Sequence, residues 1–363
     1  MQHTMEANKT MLVDGPASVR LVSGKAEVFG YPMKESQRVL IREGKRLPFF
    51  VDEKTTFEVS LGANSGLAET TGNTNPPSWD KPVEAILSLP NRPVVVMILG
   101  ASDCGKSSLC TYLLNKLIDG KNKVAVLDGD LGQSDIGPSA TIGYGLSSKC
   151  ISELYDLKLK NAFFVGVTSP INAISKTIEG LAAMKAEILQ QQANFILVNT
   201  DGWVSGEDAV QYKTALVNAL KPDVIVGVQA QDELAPLVAC LETPAILVEP
   251  SFALKQRTPE KRTLLREMTY SRYLKHAKLQ CYPKSQVTIE PRNAIPKNQE
   301  PEKGILVGLC GRGTKFLGIG VLREVNQLRK ALKIQTAVSA KPMRILIGKV
   351  IIDEKFQEVP PEL

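Results

Sequence analysis

The chain has 363 residues, 43% hydrophobic and 23% charged, enough for two or three domains with their own cores and the balance of an ordinary globular protein. No window approaches the ~18 apolar residues that span a bilayer, and the opening MQHTMEANKT lacks the apolar stretch of a secretory leader, so no membrane association and a cytoplasmic location are expected. The net charge of +6 is uneven, with eight basic and two acidic residues in 255–278 and fourteen and eight in 281–363; this pattern points either to a polyanionic partner or to solvated faces.

In chain order, residues 11–61 read as short strands (SVRLV, KAEVFG, RVLI, FFV, TTFEVSL) parted by Gly, Pro and charged turns, which predicts a small β domain. GNTNPPSWDKP, from Gly72 to Pro82, reads as a linker. From Val83 the pattern changes to strands alternating with longer helical stretches, the signature of an α/β domain on a parallel sheet. Val94 to Leu99 is an unbroken aliphatic run, which suits a strand buried on both faces. Leu109, Leu113 and Leu117 then recur on one helical face, with Gly120 as a C-terminal stop.

Between strand and helix lie Gly100, Ala101, Ser102, Asp103, Cys104, Gly105, Lys106, Ser107 and Ser108, a complete G-x-x-x-x-G-K-S loop. Backbone N–H groups at a helix N-terminus point at phosphate oxygens, and the glycines let the chain wrap them closely. Lys106 is expected on the β and γ phosphates and the Ser107 hydroxyl on Mg²⁺. The six cysteines form no C-x-x-C pair and there are two histidines, so a zinc site or disulfide framework is not expected and Cys104 reads as a place-holder rather than a nucleophile.

VAVLDGDLGQSDIGP is an apolar strand ending in Asp128, Asp130 and Gln133. Parallel strands deliver their C-terminal ends to one sheet edge, so these carboxylates are expected near the γ-phosphate, one organising Mg²⁺ or one accepting a proton from an attacking hydroxyl. NTDG at Asn199 to Gly202 is superficially like the guanine-reading Asn-Lys-x-Asp, but Thr200 replaces the lysine, which favours ATP. Trp203 is either a core plug or a stacking platform for a nucleobase. Arg262 and Arg266 stand four apart, so on a helix both project from one face and could close over phosphates; a solvated basic face is the alternative. After Pro283 short strands return (GILVGLCG, KFLGIGVLREV, KALKIQTAV, RILIGKVII). The expected plan is a β domain and linker over 1–82, a phosphate-loop domain with an arginine lid over 83–283, and a β domain over 284–363.

The ordered set GASDCGKSS, DGDLGQ, GVTSPINA, NTDGW and KQRTPEKRTLLRE, with β segments at both ends, resembles the RNA 5′-hydroxyl polynucleotide kinase family. That family takes in compact archaeal kinases and the larger eukaryotic subunit of the messenger-RNA cleavage machinery. The likeness spans nearly the whole chain, and the ordered set is far more specific than the phosphate loop, which many families share.

The resemblance implies ATP- and Mg²⁺-dependent transfer of the γ-phosphate to a 5′-hydroxyl end of RNA, with DNA ends left open and RNA-processing proteins as further partners. Lys106 and Ser107 match the phosphate-loop lysine and the Mg²⁺-ligating hydroxyl. Asp130 matches the family's proposed general base, with Gln133 beside it, and Asp128 stands where eukaryotic relatives usually carry Glu and is assigned to the metal. Thr168 and Pro170 resemble the clasp on the RNA end, although Asn172 follows at a shorter spacing. Trp203 matches an aromatic that contacts RNA. Arg257, Arg262 and Arg266 resemble the lid signature, with Thr258 where a Ser normally follows the first arginine. An ATP-loaded scaffold subunit is the competing reading, and the intact Lys106, Ser107, Asp130, Arg262 and Arg266 favour activity. A partitioning-type ATPase leaves both β segments and the basic lid without a role.

Overall fold

A computed structural model describes residues 1–290, 301–313 and 315–359. The expected β segment 284–363 includes residues 291–300, 314 and 360–363, which lie outside the described residues.

At the N-terminus two antiparallel sheets face each other. Gln2–Met5, Thr55–Leu61, Ala17–Ser23 and Arg38–Ile41 form one; Tyr31–Pro32, Glu27–Val28, Arg46–Val51, Lys9–Asp14 and Gly66–Thr71 form the other. Alternation drives this: Thr55, Phe57 and Val59 point inward along one strand while their neighbours face out. Phe49 and Phe57, both fully buried, meet edge to face across the sheets at 6.0 Å. The ladder extends beyond 11–61, because Gln2–Met5 pairs with the strand from Thr55 and Gly66–Thr71 pairs with Lys9–Asp14.

The segment expected as a linker is an anchor. Pro77–Trp79 is a single 3₁₀ turn running into a helix, Asp80–Ser88. Trp79 is fully buried, donates its indole N–H to the Glu249 carbonyl at 2.9 Å, and packs edge to face on Tyr112 at 5.5 Å. Its Pro, Asn and Ser composition reads as loose, but one large aromatic with a satisfied N–H pins the turn.

The central sheet has seven strands in the order Leu159–Phe164, Thr141–Ser147, Val124–Asp128, Phe195–Asn199, Val94–Gly100, Val224–Val228, Ala245–Val248. Val94–Gly100 is buried along its whole length and pairs in parallel with both neighbours; each aliphatic side chain buried this way contributes about 1.5–3 kcal/mol. The sheet is mixed rather than purely parallel, since Leu159–Phe164 runs antiparallel to Thr141–Ser147. The second of these, TIGYGLS, is a strand despite its two glycines, and its first five residues are all buried.

The described chain divides into two compact units. The first comprises Met1–Val126, Leu146–Lys158 and Ile188–Arg257; the second comprises Leu127–Gly145, Leu159–Glu187 and the chain from Thr258 onward. In the second unit, Lys278–Pro283, Ala331–Thr336, Phe316–Asn326, Ile305–Cys310, Arg344–Ile352 and Thr288–Glu290 form a seven-stranded sheet with Glu358–Val359. It is fastened to the Leu159–Phe164 strand by Phe316 N–H on Asn161 Oδ1 at 2.9 Å and Lys349 N–H on the Gly166 carbonyl at 2.8 Å. Phe164, Tyr270, Leu274, Leu306, Ile319, Val321 and Ile352 share one core.

Candidate functional site

In the first unit the phosphate loop joins Val94–Gly100 to the helix Lys106–Leu117. Gly105 caps that helix at φ +100°, where a side chain would be strained and its Cβ would press on Leu254 at 3.2 Å. Lys106 is almost wholly buried and donates from Nζ to the Ala101 carbonyl at 2.7 Å, curling back over the loop. Ser107 Oγ accepts from Asn199 Nδ2 at 3.4 Å. Burial pushes the Cys104 thiol up, which keeps it protonated and fits a place-holder. Asp103 is tied to Arg257, which reaches it with its backbone N–H at 3.2 Å and its guanidinium at 3.3 Å. The first arginine of the expected lid therefore braces the loop.

The NTDGW turn sits directly on that loop. At Gly202 a Cβ would lie 2.3 Å from Ser102 Oγ and 2.5 Å from Ser102 N, so only glycine allows the approach. Asp201 organises the turn: one carboxylate oxygen accepts the Trp203 N–H at 3.0 Å, and the other accepts Tyr212 OH and Lys213 Nζ, each at 2.8 Å. Lys213 is fully buried. Trp203 is half-buried, and its ring stacks on Tyr212 at 5.6 Å and 22°.

In the second unit Asp128 ends its strand fully buried and accepts from Ser134 Oγ at 2.9 Å and the Asp135 N–H at 2.8 Å. Burial, then the charges of Asp135 and Asp130, push its carboxyl up to about 7. Asp130 is partly exposed, and its Oδ1 accepts the Gly132 and Gln133 N–H groups at 3.0 and 2.9 Å, a tight turn that aims the carboxylate. A Cβ on Gly132 would lie 2.9 Å from the Thr168 carbonyl, so the Asp130 turn and the expected clasp touch. Pro170 is buried at the head of a 3₁₀ turn, Pro170–Asn172, that leads into the helix Ile174–Leu189. Gln133 Nε2 donates to the Arg262 carbonyl at 3.0 Å, joining this turn to the helix Pro259–Tyr273.

That helix starts at Thr258, whose hydroxyl accepts the Lys261 N–H at 3.3 Å. Arg266 forms a two-pronged pair with Glu358, Nε to Oε1 at 2.7 Å and Nη2 to Oε2 at 2.6 Å.

The family model described as mRNA cleavage and polyadenylation factor CLP1 P-loop matches residues 100–276. A polyribonucleotide 5′-hydroxyl-kinase of Pyrococcus furiosus is 31% identical over 327 residues, covering 76% of this chain and 92% of its own. One of Thermococcus kodakarensis is 33% identical over 332 residues, covering 77% and 93%. The chain belongs to the CLP1 and polyribonucleotide 5′-hydroxyl-kinase family. Its fold matches a chain of the solved Clp1p–Pcf11p complex with a TM-score of 0.76 over 97% of both, at 12% identity.

Within each unit the expected residues gather: Gly100 to Ser108 with Asn199, Trp203 and Arg257 in one, and Asp128, Asp130, Gln133, Thr168 and Arg262 in the other. Sequence reading missed Asp201, Tyr212, Lys213 and Glu358. The Lys213 charge inside an otherwise amphipathic helix, Glu207–Leu220, was the available signal. No helix among the described residues is long and apolar enough to cross a membrane. Nor do three His, Cys, Asp or Glu side chains gather as a cage among them.

Proposed function

We propose that this chain transfers the γ-phosphate of ATP to the 5′-hydroxyl of an RNA end, in the cytoplasm. The observation that carries this is the Gln133 to Arg262 bond, which joins the turn bearing a positioned carboxylate to a basic helix in a chain that also holds a complete phosphate loop. The relatives named as polyribonucleotide 5′-hydroxyl-kinases support the acceptor.

Lys106 holds the β and γ phosphates, and the loop N–H groups hold the rest of the triphosphate. The Asp130 carboxylate accepts the proton of the 5′-hydroxyl as that oxygen bonds to the γ-phosphorus; the β–γ bridging bond breaks and ADP leaves. The Ser107 hydroxyl and the Asp128 carboxylate would be the protein ligands of Mg²⁺, which would supply charge neutralisation at the phosphates. The lid helix adds cationic charge through Arg262 as negative charge spreads over the equatorial oxygens. Thr168 and Pro170 seat the RNA end, Gln133 orders the base-bearing turn, and Trp203 offers a sequence-tolerant stacking surface. The division at 82 and 283 assigns support roles to the flanking β segments, one of which docks an RNA-processing protein.

Incubation with γ-labelled ATP and matched 5′-hydroxyl RNA and DNA oligonucleotides tests this. Label should appear on the RNA 5′ end; no transfer to any RNA or DNA end would refute it. A scaffold would instead lose complex stability, and no turnover, on Lys106→Ala.

A further inference from the structure

Arg266 stands one helical turn beyond Arg262, and four bonds hold its partner Glu358 in place. The Glu358 carboxylate accepts both prongs of Arg266 and, on Oε1, the Tyr270 hydroxyl at 3.0 Å, while its own N–H donates to Glu267 Oε1 at 3.0 Å. Arg266 also donates to Thr263 Oγ1 at 2.9 Å. The Arg266 and Glu358 side chains are each 16% exposed. Tyr270 is fully buried in the core that includes Ile352, and Ile352 is the ladder partner of Glu358. The far end of the lid helix is thus bolted to the C-terminal sheet through the pair of Arg266 and Glu358.

We propose that Glu358 is a positioning residue for phosphoryl transfer. By clamping Arg266 it fixes the rotation and tilt of the helix Pro259–Tyr273, so that Arg262 acts as the lid cation while Arg266 orients it without touching substrate. This rests on the kinase reading above and deepens it. A fork between guanidinium and carboxylate constrains two bonds at once, so it sets an angle as well as a distance. Misplacing a reacting group by about 1 Å can lower turnover about 10²-fold.

The test compares Glu358→Gln, Arg266→Met, the double variant and Arg262→Ala in the full chain, at a temperature where circular dichroism shows all four folded. If Glu358 acts through Arg266, the two single variants lose between about 10-fold and about 100-fold in kcat, by similar factors, with the KM for ATP unchanged. The double variant then loses no more than either alone. Arg262→Ala should fall further than all three. An Arg266→Met loss far exceeding that of Glu358→Gln, with losses that multiply in the double variant, would make Arg266 itself the catalytic group and overturn the proposal; so would unchanged kcat in both.

Limited trypsin digestion reads the clamp without activity. Cleavage after Lys261 and Arg262 should run several-fold faster in Glu358→Gln and Arg266→Met than in the wild type, and equal rates would overturn the clamp. A wild type that transfers no phosphate defeats the kinase reading alone, because the digestion still decides whether Glu358 holds the helix.

Discussion

The phosphate loop and the acid-bearing turn do comparable work by different means. Between Gly100 and Ser108 the decisive interactions are short in sequence: Lys106 bonds a carbonyl five residues back, and Gly105 takes a left-handed conformation that other residues resist. Around Asp130 only the turn itself is local. Gln133 reaches Arg262 across 129 residues, and Arg266 finds Glu358 92 residues further on. A local motif carries its own geometry, whereas a site assembled from distant pieces depends on every element that brings those pieces together.

The contrast is most directly broken by paired substitutions. Lys106→Ala and Asp130→Asn should both cut transfer by ~10³-fold or more, but ATP affinity, read by fluorescent-nucleotide titration, should drop only for Lys106→Ala. Equal loss of ATP binding in both would merge the two regions into one nucleotide site.

Lys213→Met should cost ~3–5 kcal/mol of stability, because it leaves the buried Asp201 carboxylate without its cation. Urea denaturation measures this, and an unchanged midpoint would show that the NTDGW turn does not need its buried pair. Trp203→Ala should raise the KM for RNA by roughly 5- to 150-fold, the value of ~1–3 kcal/mol of stacking, and leave the KM for ATP alone. A loss of thermal stability with RNA affinity intact would return Trp203 to the core.

The smallest effect concerns pH. Arg46 grips Asp14 at 2.8 and 2.9 Å, and that bond outweighs burial to hold the Asp14 carboxyl below its usual 3.8. A depressed carboxyl stabilises the fold above its unfolded pKa and loses that contribution as pH falls through the folded one. The melting-temperature gap between wild type and Asp14→Asn should therefore be constant from neutral pH down to about pH 4 and close below it. A gap that is unchanged at pH 3 would remove the pair from the stability of the N-terminal sheets.

The amino-acid sequence by itself determined the elements whose signal is local. An unbroken aliphatic run makes a doubly covered strand, a four-residue leucine spacing makes the helix that follows, and the glycines and lysine between them make the phosphate cradle. The short strands of both β segments were legible for the same reason. Tertiary structure alone decided that the Gly72 to Pro82 stretch is pinned by Trp79, that glycine-rich Thr141–Ser147 is a buried strand, that Lys213 lies fully buried against Asp201, and that Arg266 belongs to Glu358. The bonded partners lie from 12 residues away, for Lys213 and Asp201, to 170, for Trp79 and Glu249, and only the folded backbone brings them within bonding distance.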